Sequence, residues 1–101
     1  MARRAGRLSM GHDTVKDSIR KRKAKLVIFS SDISKRLVEE IGSLSERYQP
    51  SLPSISIAEN MDEIHSALGY RAGVIAVNDE NFAVRLIELI NQEENAYGSE
   101  N

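Results

Sequence analysis

Apolar residues are distributed along this chain in two alternating patterns. The segments LVIFS at residues 26–30 and GVIAV at residues 73–77 are almost continuously apolar. Runs of this length, rich in β-branched residues, are typical of strands that are covered on both faces. A shorter strand is predicted at residues 54–57, directly after Pro53. These segments predict a small sheet.

Between the strands, apolar positions recur every three or four residues, which is the spacing of an amphipathic helix. A first helix is predicted to begin at Asp13 or Thr14, either of which can act as its N-cap, and to end near residue 22. A second helix is predicted over residues 34–48. Within it, Gly42 indicates either close packing against the sheet or an early end.

A third helix is predicted over residues 60–68. Asn60 and Glu63 have the spacing of a capping box, and Gly69 can adopt the left-handed conformation that ends a helix. A fourth helix is predicted to follow its cap, Asp79. The alternation of helices and strands predicts an α/β fold, in which a small sheet lies between helices as a three-layer α/β/α sandwich.

The length of 101 residues is that of one domain, which we expect to span residues 1–92, with an acidic, disordered tail at residues 93–101. The chain has no cysteine, so a disulfide framework is excluded and a reduced cytoplasm is the expected compartment. No apolar run approaches the roughly 20 residues that span a bilayer. We therefore expect no membrane partner.

The net charge of −1 conceals a strong asymmetry. Residues 1–36 hold eleven Lys and Arg against three Asp, a charge of +8, whereas the remainder carries −9. Such a division favours a basic surface for a polyanion, although the charges could simply coat solvated helices. The basic residues of greatest interest are Arg3, Arg4, Arg7, Lys16 and Arg20, together with the run at residues 21–25.

Residues suited to catalysis or metal binding are scarce. His12 and His65 are the only histidines, and neither has a nucleophile or carboxylate at a mechanistic spacing. The sequence therefore predicts no enzymatic activity, no cofactor and no metal site. Exposed aromatic residues for stacking on single strands are also few, since only Tyr70 falls in a loop. Recognition of folded RNA by its shape is the better expectation.

Three segments carry a resemblance to a known family: ARRAGRLSMG, VKDSIRKRKAKLVIFSSDIS and LGYRAGVIAVNDENFAVRLIELI. They resemble the short bacterial YlxQ-type ribosomal-protein-like proteins. These belong to the superfamily of kink-turn-binding ribosomal proteins of the L-seven-Ae and L-thirty-e type. The resemblance covers residues 2–90. It implies a mixed four-stranded sheet, with an extra short strand at residues 7–10, and an RNA site at one end of the domain.

The implied site consists of the helix start after Gly11, the turn after the first long strand and the loop before the last strand. The matching positions are Gly11, His12, Asp13, Thr14, Asp17, Asp32, Tyr70, Arg71 and Ala72. An Asn-Glu pair and a lysine one turn later read sheared G·A pairs in the kink-turn binders. Asp13, Thr14 and Asp17 stand at those positions here. Binding through Lys16, Arg20 and the N-terminal arginines is therefore the inferred mode.

Together these observations predict a non-catalytic, cytoplasmic RNA-binding module of ribosomal type. Its expected partner is structured RNA, kink-turn RNA or ribosomal RNA among the candidates, in association with the ribosome or a translation factor. The alternative is a protein-interaction module that kept the fold without RNA binding, using its acidic second half or the loop around Tyr70. A third alternative is an enzyme that acts on a small ligand, which would require a deep pocket with paired titratable groups.

Overall fold

The computed structural model describes residues 8–85 and 88. Helices and strands alternate in that part in the order β1 (Leu8–Met10), α1 (His12–Arg20), β2 (Leu26–Phe29), α2 (Lys35–Tyr48), β3 (Ser54–Ser56), α3 (Met61–Leu68) and β4 (Val74–Val77). A further helix, α4, includes residues 80–85 and 88. The predictions for Arg3, Arg4, Arg7 and the tail at residues 93–101 lie outside the described residues.

The four strands form one mixed sheet in the order β1-β4-β2-β3. Strand β4 is antiparallel to both β1 and β2, whereas β2 and β3 are parallel. Met10 and Phe29 pair with the first half of β4, so the ends of β1 and β2 and the start of β4 meet at one end of the sheet. This sheet confirms the predicted fold class, including the short first strand.

Alternate residues of the central strands face two separate apolar clusters. Val27, Phe29 and Ala76 pack with α1 and α2, where Ile19 and Ile41 are fully buried. The opposite face supplies a second cluster, which α3 and α4 complete; its members include Leu26, Ile28, Ile64, Ile75, Val77 and Ala83. Because both faces of β2 and β4 are buried, their sequences are apolar at every position.

Both predicted ends of the third helix are confirmed. The Asn60 side chain accepts a hydrogen bond from the Glu63 amide at 2.8 Å, and the Glu63 carboxylate accepts one from the Asn60 amide at 3.0 Å. Gly69 ends the helix in the left-handed conformation with φ 77°. The cap of α4 is also as predicted, since Asp79 accepts from the Phe82 amide at 2.8 Å.

The start of α1 and the reason for Gly42 differ from the predictions. Gly11 precedes the helix and no side chain caps it, so neither Asp13 nor Thr14 is the N-cap. The backbone hydrogen bond from the Gly11 amide to the Val74 carbonyl of β4 fixes this earlier start. Gly42 neither ends α2 nor marks close packing, because a Cβ there would meet nothing within 4 Å.

Candidate functional site

Three segments that are distant in the sequence meet at one end of the sheet. The Gly11 amide donates to the Val74 carbonyl at 3.0 Å, and the Ser30 amide donates to the Gly73 carbonyl at 2.9 Å. These bonds join the start of α1, the turn after β2 and the loop before β4. We call this end of the molecule the candidate site.

The start of α1 leaves backbone donors unused. Gly11 has φ 92° and ψ 155°, a combination that essentially only glycine adopts. Its carbonyl accepts from the Val15 amide at 3.0 Å and so opens the helix. Within the described part of the chain, the amides of His12, Asp13 and Thr14 have no acceptor. Free amides and the positive end of the helix dipole favour an anionic or carbonyl-bearing ligand here.

Tyr70 places an aromatic ring beside this helix start. Its hydroxyl lies 3.9 Å from the position that a Cβ on Gly11 would occupy, and 45% of the residue is exposed. An exposed ring of this kind can stack on an unpaired base. The candidate site therefore combines backbone donors with a stacking surface.

Asp32 serves the turn after β2 by holding the start of α3. Its Oδ1 accepts a hydrogen bond from the Met61 amide at 3.0 Å. Partial desolvation by itself would raise the pKa of Asp32. The nearby Ser30 hydroxyl and the Met61 amide outweigh that effect and hold the pKa below its ordinary value of 3.8. The carboxylate is thus ionised and already engaged with a helix N-terminus.

Arg71 lies along the first turn of α3. Its Nε donates to Asp62 Oδ1 at 3.1 Å, and its Nη1 lies 3.6 Å from Met61 Sδ. Ala72 is only 3% exposed and belongs to the core. Of the three loop residues that the sequence singled out, only Tyr70 and Arg71 therefore reach the surface.

Two charged residues of α1 are engaged within the protein. Lys16 forms an ion pair with Glu40 of α2, and 17% of its side chain is exposed. Asp17 Oδ2 pairs with Lys21 Nζ at 3.0 Å, one helical turn away. The negative charge of Asp17 is therefore matched locally, and Lys16 connects two helices.

Arg20 is exposed but does not belong to the candidate site. It is the last residue of α1, about 12 Å along the helix axis from His12. The helix-start residues and the basic residues that follow Arg20 thus lie at opposite ends of α1. A single basic face, as the charge pattern suggested, is not the arrangement among the described residues.

Lys35 and Arg36 belong near the candidate site, although the sequence analysis did not single them out. Both are exposed in the first turn of α2, directly after the turn that contains Asp32. Both residues contribute to the positive charge of residues 1–36, but the sequence does not indicate where in the fold they lie. Met61, which contacts both Asp32 and Arg71, carried no signal because its place depends on the fold.

The described residues contain no group of three or more His, Cys, Asp or Glu side chains that could hold a metal ion. None of the helices in this part of the chain is long and apolar enough to cross a membrane.

A mixed sheet between two helical layers, with an open helix start beside an aromatic loop, defines a small α/β/α domain. The sequence profile of the Ribosomal protein L7Ae/L30e/S12e/Gadd45 family matches residues 1–86. The chain therefore belongs to this family. The match confirms the resemblance at the level of the superfamily, while the YlxQ-type subfamily stays a prediction.

A solved structure shares the fold over most of its length. It is described as the structure of a protein with unknown function from Bacillus halodurans C, and it is 27% identical to this chain. The match covers 89% of each chain with a TM-score of 0.75. No curated protein matches the sequence.

Proposed function

We propose that this protein binds structured RNA without catalysing a reaction, and that the candidate site makes the specific contact. Membership of a ribosomal protein family supports an RNA partner. The observation that carries the proposal is the position of Tyr70, whose exposed ring lies beside the uncapped start of α1. RNA offers phosphates and base edges to the amides, and unpaired bases to the ring.

The finer proposal is that the RNA contains a kink-turn. Asp13 can accept hydrogen bonds from base amino groups, and the Thr14 hydroxyl can both donate and accept. Both side chains are exposed at the helix start. Repulsion between Asp17 and phosphate is reduced because the Lys21 ammonium pairs with Asp17 at 3.0 Å. Lys35 and Arg36 supply cations for the flanking backbone.

The biological setting follows from the same proposal. The RNA would be ribosomal or another folded RNA of the bacterial cytoplasm, and the assembly would be the ribosome or a complex with a translation factor. Assignment of the chain to a subfamily would decide between the ribosome and a translation-factor complex.

The primary test is a titration of the purified protein with a labelled kink-turn RNA and with a straight duplex of equal length, each at low and moderate salt. Selective binding of the kink-turn RNA supports the proposal. Equal binding to both RNAs, lost steeply with salt, would leave backbone binding and reject kink-turn selectivity.

Tyr70 allows a matched pair of variants. Tyr70→Ala should weaken kink-turn RNA binding by roughly 5- to 150-fold, because stacking on one base contributes about 1–3 kcal/mol. Tyr70→Phe keeps the ring and should remain within about 3-fold of the wild type. Equal affinities for the two variants would show that the ring does not contact a base.

Failure to bind either RNA at both salts would favour the protein-interaction alternative. A surface that could serve this role surrounds Leu68, which is 45% exposed beside an apolar cavity of about 280 Å³. Ile57, Ile64 and Phe82 contribute to its lining.

A further inference from the structure

The segment that connects α1 to β2, residues 20–25, is the most basic part of the chain. Five of its six residues are Lys or Arg, out of fourteen in the whole protein. All five are exposed. Because this segment follows the C-terminal end of α1, it lies at the end of the sheet opposite the candidate site. We call it the basic turn.

Three cations of the basic turn are available to a ligand. Lys21 pairs with Asp17, and Arg22 Nε donates to the Tyr48 carbonyl at 3.2 Å. The other three cations of the basic turn are Arg20, Lys23 and Lys25. Their side chains make no ion pair or hydrogen bond with any described residue.

The backbone of the basic turn is held in one conformation. The amides of Arg22 and Lys23 donate to carbonyls of α1, at 3.0 and 2.9 Å. Gln49 clamps Ala24 from the other side, accepting from its amide at 3.2 Å and donating to its carbonyl at 2.7 Å. The Lys25 amide donates to the Val77 carbonyl at 2.7 Å. The free cations therefore project from a fixed frame, which lowers the entropy lost on binding.

The backbone of Arg22 has a conformation that glycine adopts more readily than any other residue. Its φ is 57°, in the left-handed region, and it is the only non-glycine residue of the described chain with a positive φ. Glycine adopts this conformation without the steric cost that a side chain incurs. With arginine here, the turn incurs this strain but gains a positive charge and the hydrogen bond to the Tyr48 carbonyl.

The partner that fits the basic turn is a phosphate backbone. The cations are spread over an exposed turn, and the adjoining cavity of about 340 Å³ is bordered by Arg22 and Lys25 with one carboxylate, Glu80. The basic turn contains no aromatic residue for stacking on a base. Tyr48, whose carbonyl contacts Arg22, is only partly exposed, and the Arg47 guanidinium lies 5.7 Å from the centre of its ring. Such a surface contacts backbone without reading sequence.

We propose that the basic turn is a second RNA contact, which binds the backbone of a helical segment that extends beyond the candidate site. This inference rests on the proposed function for the RNA class. The two contacts lie about 12 Å apart along α1, and the exposed Asp17 lies between them. An RNA must therefore be long enough to engage both ends, and affinity should increase with the length of the flanking helix.

The test compares a minimal kink-turn RNA with one whose stem is extended by a helical turn. The basic-turn variant is Arg20→Gln, Lys23→Gln and Lys25→Gln combined. The wild type should bind the extended RNA roughly ten-fold more tightly than the minimal RNA at 0.1 M salt. The slope of log K against log salt concentration should also be steeper by about 2 to 3 for the extended RNA. The variant should lose this gain and keep its affinity for the minimal RNA.

A control variant that removes a charge away from both contacts is Arg85→Gln, at an exposed residue of α4. It should keep the length-dependent gain. Equal weakening of both RNAs by the basic-turn variant, or an unchanged gain, would overturn the inference. Circular dichroism and thermal melting establish that each variant is folded.

The same experiment separates this inference from the proposed function. A wild type that binds kink-turn and straight RNAs equally, with a gain for longer helices that only the basic-turn variant loses, would reject the candidate site and support the basic turn. Selective binding of the minimal RNA without any length dependence would do the reverse.

Discussion

The chain changes direction at both ends of α1, and each change uses a residue with positive φ. At the N-terminal end this residue is Gly11, with φ 92°, where a side chain would be strained. At the C-terminal end it is Arg22, with φ 57°. The first residue is the one that backbone sterics require, whereas the second is tolerated at a cost.

The electrostatic character of the two ends also differs. The candidate site offers backbone amides and one exposed ring, and its Arg71 is paired with Asp62. The basic turn offers unpaired cations and no exposed ring. Geometry suited to specific recognition and charge suited to backbone affinity are therefore separated in this protein, although the two regions are neighbours in the sequence.

The largest effect on stability is expected at the basic turn, from Gln49→Ala. This change leaves the amide and carbonyl of Ala24, a residue that is 1% exposed, without their partners. The free energy of unfolding should fall by roughly 2–4 kcal/mol, measured by urea denaturation. Gln49→Glu keeps an acceptor for the Ala24 amide but sets a carboxylate oxygen against the Ala24 carbonyl, so at neutral pH it should cost at least as much as Gln49→Ala. A stability of Gln49→Glu close to that of the wild type would contradict the clamp.

At the candidate site, Gly11→Ala should lower the free energy of unfolding by about 1–3 kcal/mol, because alanine cannot adopt φ 92° and ψ 155° without strain. The matched control is Gly42→Ala, in a helix interior with open space around it. That change should increase stability by about 0.5–1 kcal/mol. The same sign for both substitutions would reject the conformational argument.

Two substitutions at Arg22 test whether its backbone is strained. Arg22→Ala and Arg22→Gly both remove the charge and the hydrogen bond to the Tyr48 carbonyl, but only glycine relieves the left-handed strain. Arg22→Gly should therefore be more stable than Arg22→Ala by about 1 kcal/mol in thermal or urea unfolding. Equal stabilities would mean that the turn relaxes and that the arginine is not strained.

The smallest effect is expected at Asp32, and it depends on pH. Because the folded-state pKa is lowered, the stabilisation from its carboxylate is fully present above its ordinary value of 3.8 and is lost as the pH falls through the folded-state pKa. Asp32→Ala should melt at a lower temperature than the wild type at neutral pH, and the difference should narrow in acid. A constant difference between pH 7 and pH 3 would show that the charge is not involved.

Local patterns were sufficient to predict most elements. The Asn60 and Glu63 spacing, the glycine at residue 69 and the apolar runs of β2 and β4 each depend on neighbours within a few residues, and each prediction is confirmed. The cap of α1 was predicted wrongly because its start is fixed by a hydrogen bond from Gly11 to Val74, far away in the sequence. Gly42 had no local explanation and has none in the packing.

The candidate site was predicted in part. The positions of Gly11 and Tyr70 came from the family resemblance, and the structure brings them together. Ala72 proved to be buried, and Lys16 is engaged with Glu40. Exposure and pairing of this kind depend on which helix packs against which, and residue spacing does not report it.

Local sequence features were enough to specify most helices and strands, the two-sided burial of β2 and β4, and the division of charge. Periodicity and capping act over a few residues, and composition needs no structure. The tertiary structure alone decided where the charge lies. The antiparallel pairing of β2 and β4 brings the start of α1, the turn after β2 and the Tyr70 loop to one end of the sheet. The length of α1 carries the basic turn to the other end, because an α-helix separates its two ends by 1.5 Å for every residue.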